Sequence, residues 1–203
     1  MSYILRIDSS PRSTESHSRR IANYIENALL AKNSELHIRR RDLAAMSIPH
    51  INNDTIAGFF TPDNAMTTEL QLATALSNEL ISELKDASIL IISAPIYNFS
   101  TPSALKAWID QIVRINATFS YDGESFTGLV SIKQVYLALS YGASGYADQL
   151  VSMNFLEPYL VSLMNFLGMD QVDIFTIEGT TGDENIVAAA HSQLELDINR
   201  SIL

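Results

Sequence analysis

The sequence predicts an α/β protein: a doubly wound, five-stranded parallel sheet in the order 2-1-3-4-5, with helices on both faces. Three observations predict it. Short apolar runs recur along the 203 residues. Segments whose apolar residues return every three or four positions follow them, as amphipathic helices require. Sequential strands joined through helices form parallel sheets with right-handed crossovers, and 2-1-3-4-5 is the common five-strand solution.

Tyr3-Ile4-Leu5-Arg6-Ile7 reads as the first strand and empties into Asp8-Ser9-Ser10-Pro11-Arg12-Ser13-Thr14-Glu15-Ser16-His17-Ser18, a small polar run that continues neither strand nor helix. Ile21, Ala22, Ile25, Ala28 and Leu29 then mark a helix from about Ser18. Leu36-His37-Ile38-Arg39-Arg40-Arg41 alternates apolar with basic and fits an edge strand whose arginines oppose edge-to-edge pairing. Residues 42–66 carry Pro49, Gly58 and Pro62 without periodicity, a long connection that points to a lid or a partner surface.

Thr67 or Thr68 can cap the next helix, with Leu70, Ala73, Leu76, Leu80, Ile81 and Leu84 as its stripe. The apolar run of residues 88–94 is the third strand, and Pro95-Ile96-Tyr97-Asn98-Phe99 breaks out of it. Ser100 or Thr101 can cap the following helix, Pro102 suits its first turn, and Leu105, Trp108, Ile109 and Ile112 face inward. Residues 116–133 contain Tyr121-Asp122-Gly123 and read as an excursion with a small hairpin. The fourth strand, residues 134–139, opens on Ser140-Tyr141-Gly142-Ala143. A helix through Leu156, Leu160, Leu163 and Leu167 closes at Gly168, residues 172–177 give the fifth strand, and a last helix starts near Asp183. One domain over residues 1–203 is expected.

Composition narrows the function classes. A formal charge of -10 and a pI near 4.7 oppose binding to nucleic acid or anionic lipid. The absence of cysteine removes disulfides, thiolate metal sites and thiol redox chemistry, so a redox reaction would need a bound cofactor. His17, His37, His50 and His191 show no metal-ligand spacing, so no metal is expected. With no basic and apolar leader and no run of roughly 20 apolar residues, a cytoplasmic protein without membrane association is expected.

In such a sheet the ligand crevice lies beyond the carboxyl ends of the strands, at the switch point between the first and third. The serine-rich loop places hydroxyls and free amides at a helix start, which favours an anion; a solvated helix cap is the equal alternative. No GxxxxGK[ST], GxGxxG or GxSxG pattern occurs, which disfavours a nucleoside triphosphatase, dinucleotide binding at the first turn and a serine hydrolase. A monophosphate fits the loop better. With residues 95–99 beneath a planar ring and residues 140–143 at its polar rim, the three loops together suit flavin mononucleotide (FMN). Amides of the last loop would then stabilise the reduced ring, and no protein group need act as catalytic acid or nucleophile.

The chain resembles the FMN-dependent NADH-azoreductases, also described as NADH:quinone reductases of flavodoxin-like fold. The likeness runs from Ser9-Ser10 and Ser16-His17-Ser18 through Arg41-Asp42-Leu43-Ala44, Leu76-Ser77-Asn78-Glu79-Leu80-Ile81 and Ala94-Pro95-Ile96-Tyr97-Asn98-Phe99 to Thr118-Phe119-Ser120-Tyr121 and Glu157-Pro158-Tyr159-Leu160. The resemblance implies that Ser10, Ser16, His17 and Ser18 hold the FMN phosphate. It further implies that Pro95, Ile96, Tyr97, Asn98 and Phe99 bind ribityl chain and ring, and that Ser140, Tyr141, Gly142 and Ala143 meet the pyrimidine end. Phe119, Tyr121 and Phe166 match positions that line the family's substrate slot, although from the bare sequence they read as packing; His17 equally reads as a helix-terminal surface residue. One departure stands out: the family often has Ser-Arg-Gly-Gly where this chain has Ser140-Tyr141-Gly142-Ala143.

The resemblance implies a homodimer whose sites are completed across the interface, with NADH as donor and a quinone or aromatic azo compound as acceptor in a ping-pong cycle. The alternatives are a flavodoxin-type single-electron carrier and a flavin-free signalling domain of the same topology.

Overall fold

The structure is a computed structural model that describes residues 3–203. In chain order its elements are β1 (Tyr3–Asp8), α1 (His17–Lys32), β2 (Ile38–Asp42), α2 (Asn53–Phe60), α3 (Thr68–Asp86), β3 (Ala87–Pro95) and α4 (Ser103–Ile112). A hairpin of β4 (Phe119–Tyr121) and β5 (Phe126–Gly128) follows, then β6 (Gln134–Ser140), α5 (Glu157–Phe166), β7 (Val172–Ile177) and α6 (Glu184–Ile202). The main sheet runs β2-β1-β3-β6-β7 with every pairing parallel, which is the expected 2-1-3-4-5 order counted along its own strands.

Both faces of the sheet are covered because its central strands are apolar on both sides. Leu90 and Ile92 of β3 face a core layer shared with Leu80, Leu84, Trp108 and Leu160 of α3, α4 and α5. Ile91, between them, faces the opposite layer with Ile21 and Ile25 of α1 and Ile198 of α6. Each such side chain, removed fully from water, contributes about 1.5–3 kcal/mol. The alternation follows from the period-two geometry of a strand.

Three expectations needed correction. Residues 42–66 are not a structureless connection: α2 lies inside them, capped by Asn52, whose Oδ1 accepts from Thr55 N at 3.0 Å. Eight residues are too few to establish a period, and the Asn52 cap was the available signal. At α4 neither Ser100 nor Thr101 caps; Pro102 occupies the cap position without a side-chain bond, and Ser100 is held by Tyr97 instead.

The third correction concerns the arginines of β2. Arg39 and Arg41 share a strand face and both reach Glu83 of α3, while Arg40, on the other face, pairs with Glu26 of α1. Arg41 is buried and packs the edge strand onto its helix, while Arg39 and Arg40 stay half-exposed on the outermost strand.

The expected hairpin is present, and its position is set by a close backbone approach. A Cβ at Gly128 would lie 2.1 Å from the carbonyl carbon of Leu167, so only glycine lets β5 dock on the end of α5. Gly168, at φ +95°, turns the chain away at the same point.

Candidate functional site

Because β1, β3 and β6 are neighbours, the loops that leave their carboxyl ends converge. The first is tied down at once: Ser9 donates to the Ser93 carbonyl through its amide (3.0 Å) and its hydroxyl (2.8 Å). Arg19, from the first turns of α1, donates to the Ser10 carbonyl at 2.7 Å and forks onto both oxygens of Asp42 at 2.7 and 2.8 Å. That hydrogen bonding holds the Asp42 carboxyl below its usual range. Beneath lies a buried charge cluster in which Arg6 pairs with Asp8 and Glu26. Asp8 is thereby ion-paired and held below the loop.

Ser16 caps α1, its Oγ accepting from Arg19 N at 3.4 Å, and also lies 3.3 Å from Ser18 Oγ. Ser18 is completely buried, its hydroxyl accepting from Ser93 Oγ at 3.3 Å. It therefore braces the helix start from below. Among the described residues, the amides of His17 and Ser18 have no acceptor in the chain, as expected of a first helical turn.

The second loop is a tight turn. Tyr97 and Ser100 exchange backbone hydrogen bonds of 3.0 Å each, and between them Asn98 and Phe99 sit at φ +48° and +71°. Asparagine tolerates the left-handed region; phenylalanine does so at a cost of order 1 kcal/mol. The Phe99 carbonyl is fixed by Phe155 N at 2.9 Å. The third loop sends Tyr141 inward. Tyr141 is 1% exposed, its ring centroid lies 4.8 Å from that of Tyr146, and its hydroxyl donates to Glu157 at 3.4 Å; burial and then Glu157 push the phenol far above its ordinary range.

A cavity of about 260 Å³ opens between the three loops. Of the expected cofactor residues, Ser10, Ser16, His17, Pro95, Ile96, Tyr97, Ser140 and Gly142 line it. Asn98 does not; it lines a larger, more apolar cavity of about 890 Å³ on the other side of Tyr97, with Phe155, Pro158 and Tyr159. Ser18 and Tyr141 lie behind the wall, while Phe99 and Ala143 are outside it and exposed. The sequence reading missed Arg12, Glu15, Thr180 and Thr181. The two threonines follow β7, the neighbour of β6, and donate to the Tyr141 and Gly142 carbonyls at 3.1 and 2.9 Å. Their signal was that adjacency, since every strand of a parallel sheet delivers its exit loop to the same edge.

Phe119, Tyr121 and Phe166 do come together, in one aromatic cluster with Phe126: Phe119 lies 4.9 Å from Phe166 and Tyr121 4.7 Å from Phe126. Within this chain the cluster is not part of the crevice. Phe119 and Phe126 instead border an apolar hollow of about 410 Å³ with Ile56, Phe59 and Phe60 of α2. Phe60 and Phe126 are 71% and 61% exposed. Among the described residues no three metal-ligating side chains cluster, and no helix is long and apolar enough to cross a membrane.

The crevice as built can hold an anion at the helix start and a flat group against the 95–97 edge. The main-chain amide of Gly142, which has no acceptor among the described residues, is available at its far side. That donor set fits FMN.

A family model described as flavodoxin-like fold matches residues 2–199. An FMN-dependent NADH:quinone oxidoreductase of Xanthobacter autotrophicus is 46% identical over 176 residues, covering 86% of this chain and 85% of that protein. FMN-dependent NADH:quinone oxidoreductase 1 of Pseudomonas fluorescens is 35% identical over 211 aligned positions, with 99% and 100% covered. Among solved structures, an FMN-dependent NADH-azoreductase from Bacillus anthracis in complex with FMN matches with a TM-score of 0.86 over the whole of both chains at 23% identity, a likeness of fold.

Proposed function

The chain belongs to the FMN-dependent NADH:quinone oxidoreductases of flavodoxin-like fold, and from that premise we propose how its residues serve the reaction. The observation that carries the reading is the convergence of the serine loop, the 95–99 turn and the 140–143 loop on one crevice. Ser10 and Ser16, with the amides of His17 and Ser18, hold the FMN phosphate, where the helix dipole adds to the hydrogen bonds. Pro95, Ile96 and Tyr97 support the ring. The amide of Gly142 faces its pyrimidine end, where negative charge develops on reduction.

When bound, FMN supplies two-electron chemistry, taking hydride from NADH and passing it to a quinone. Donor and acceptor use one seat in turn, which gives ping-pong kinetics, and cleavage of an aromatic azo bond takes two rounds. Solvent or a nearby hydroxyl supplies protons. Tyr141 contributes by anchoring its loop in the core, so no arginine reaches the flavin from that position.

A second copy of the chain completes the site. The support is the unpartnered apolar face of α2 and the hairpin, where Ile56, Phe60, Tyr121 and Phe126 are all more than two-fifths exposed. Residues 1–203 serve as one flavin-binding domain, and acidity without cysteine suits the cytoplasm.

Steady-state assay of the purified, FMN-loaded protein with NADH and a benzoquinone tests the reading. Sustained turnover with parallel lines in double-reciprocal plots is expected. Bound flavin without NADH turnover would favour the electron carrier.

A further inference from the structure

His17 and His191 are 174 residues apart in sequence, yet His17 Nδ1 lies 2.9 Å from His191 Nε2, with the two rings within 15° of parallel. One proton lies between them. The nitrogens on the far sides of the rings decide who owns it. His191 is completely buried, and its Nδ1 has no partner among the described residues. A proton there would be an orphaned buried N–H, which costs more than a bare lone pair. The His191 proton is therefore on Nε2, and His17 Nδ1 accepts it. His17 must then carry its own proton on Nε2, on the side of the ring away from His191.

Resting on the flavin reading above, we propose that His191 is a positioning residue: by donating to His17 Nδ1 it fixes His17 as the Nε2–H tautomer, a neutral donor to the FMN phosphate. His17 lines the crevice at the helix start. Charging it would put a second proton on Nδ1, facing His191 Nε2–H, and would force the His191 proton onto the buried Nδ1. The surroundings act in the same direction. Burial, then Arg20 and Arg12, hold His17 below its ordinary value; burial, then Arg20 and His17, hold His191 at about 4. Glu15 and Glu184 border the same region, with Arg19 beside Arg20 on α1 and the Tyr24 ring set edge-on to His191, centroids 6.0 Å apart. The grip on the phosphate therefore keeps one form across the pH range in which a free histidine would titrate.

Long-range 15N–1H correlation spectra of the apoprotein at pH 7 read the tautomers directly. Both rings are expected to be protonated at Nε2; a proton on Nδ1 of either ring overturns the proposal. FMN titrations at pH 5.5 and 7.5 supply the second readout, and the phosphate's own second ionisation, near 6, enters every variant alike. In His191→Phe no N–H faces His17 Nδ1, so the ring can charge against burial, Arg20 and Arg12 alone, and the ratio of affinity at pH 5.5 to that at pH 7.5 should rise at least about twofold over wild type. An unchanged ratio overturns the proposal.

Should the phenylalanine variant fail to fold, His17→Gln decides: it keeps a donor that does not titrate, so the wild-type ratio should persist. A lower ratio would show that His17 charges unaided, contrary to the proposal. Wild type that takes up no FMN at either pH would overturn the flavin reading and with it the donor role, whereas the spectra still decide the histidine pair.

Discussion

At the β1 side of the crevice the backbone is braced by charge, whereas at the β3 side it is held in a conformation its own residues disfavour. Arg19 joins the Ser10 carbonyl, Asp42 and, at 3.8 Å, Asp8, so the serine loop is fastened by the chain's own side chains. The 97–100 turn has no such clamp; it relies on two mutual backbone bonds and the Phe155 amide, with Phe99 at φ +71°. The two sides divide the labour. On the proposed reading, the braced side presents preorganised donors that would set affinity for the anion, while the strained side would shape the face offered to ring and substrate.

Removing the brace should have the largest effect. Arg19→Met leaves Asp42 and the Ser10 carbonyl without their main donor, and unfolding in urea should show a loss of about 3 kcal/mol with FMN affinity falling at least tenfold. Wild-type stability and affinity in that variant would mean that the loop is held by its own turns.

The histidine pair behind the same loop gives the next effect. His191 has its folded value lowered from 6.5 to about 4, so the unfolded chain binds the extra proton more readily. Stability is therefore fully present above pH 6.5 and is lost as pH falls toward 4, by roughly 3 kcal/mol at the most. Denaturation midpoints of His191→Phe should lose that slope; an identical slope would place the titration elsewhere.

Ser16→Ala removes the α1 cap and should cost about 1 kcal/mol while weakening FMN severalfold, read by calorimetric titration. Stability loss without weaker FMN would reduce Ser16 to a cap. On the strained side the sign reverses: Phe99→Gly relieves the left-handed backbone and should raise stability by up to about 1 kcal/mol, with FMN affinity little changed and quinone KM altered. Destabilisation would show that the half-exposed Phe99 ring packs more than its backbone strains.

The sequence made the sheet legible because fully buried parallel strands write continuous apolar runs, as residues 88–94 do. It made the three loops legible for the same reason: whatever follows such a run emerges at one edge. What it hid were partnerships across the fold. Arg19 on a helix looks like any solvated charge until Asp42 is seen beside it, and His17 gives no sign of His191, since no spacing rule links α1 to α6. Tyr141 was read toward the flavin, but the structure turns its ring into the core toward Glu157, a direction that side-chain identity alone does not reveal. The short helix α2 fell below the length at which periodicity speaks.

In the proposed site the serine loop and the start of α1 grip the phosphate of FMN. Parallel calorimetric titrations of the apoprotein with FMN and with riboflavin, which has the same ring without the phosphate, test it most directly. Charged hydrogen bonds at about 1.5–3 kcal/mol each predict that riboflavin binds at least 100-fold more weakly. Equal affinity for the two would contradict the account.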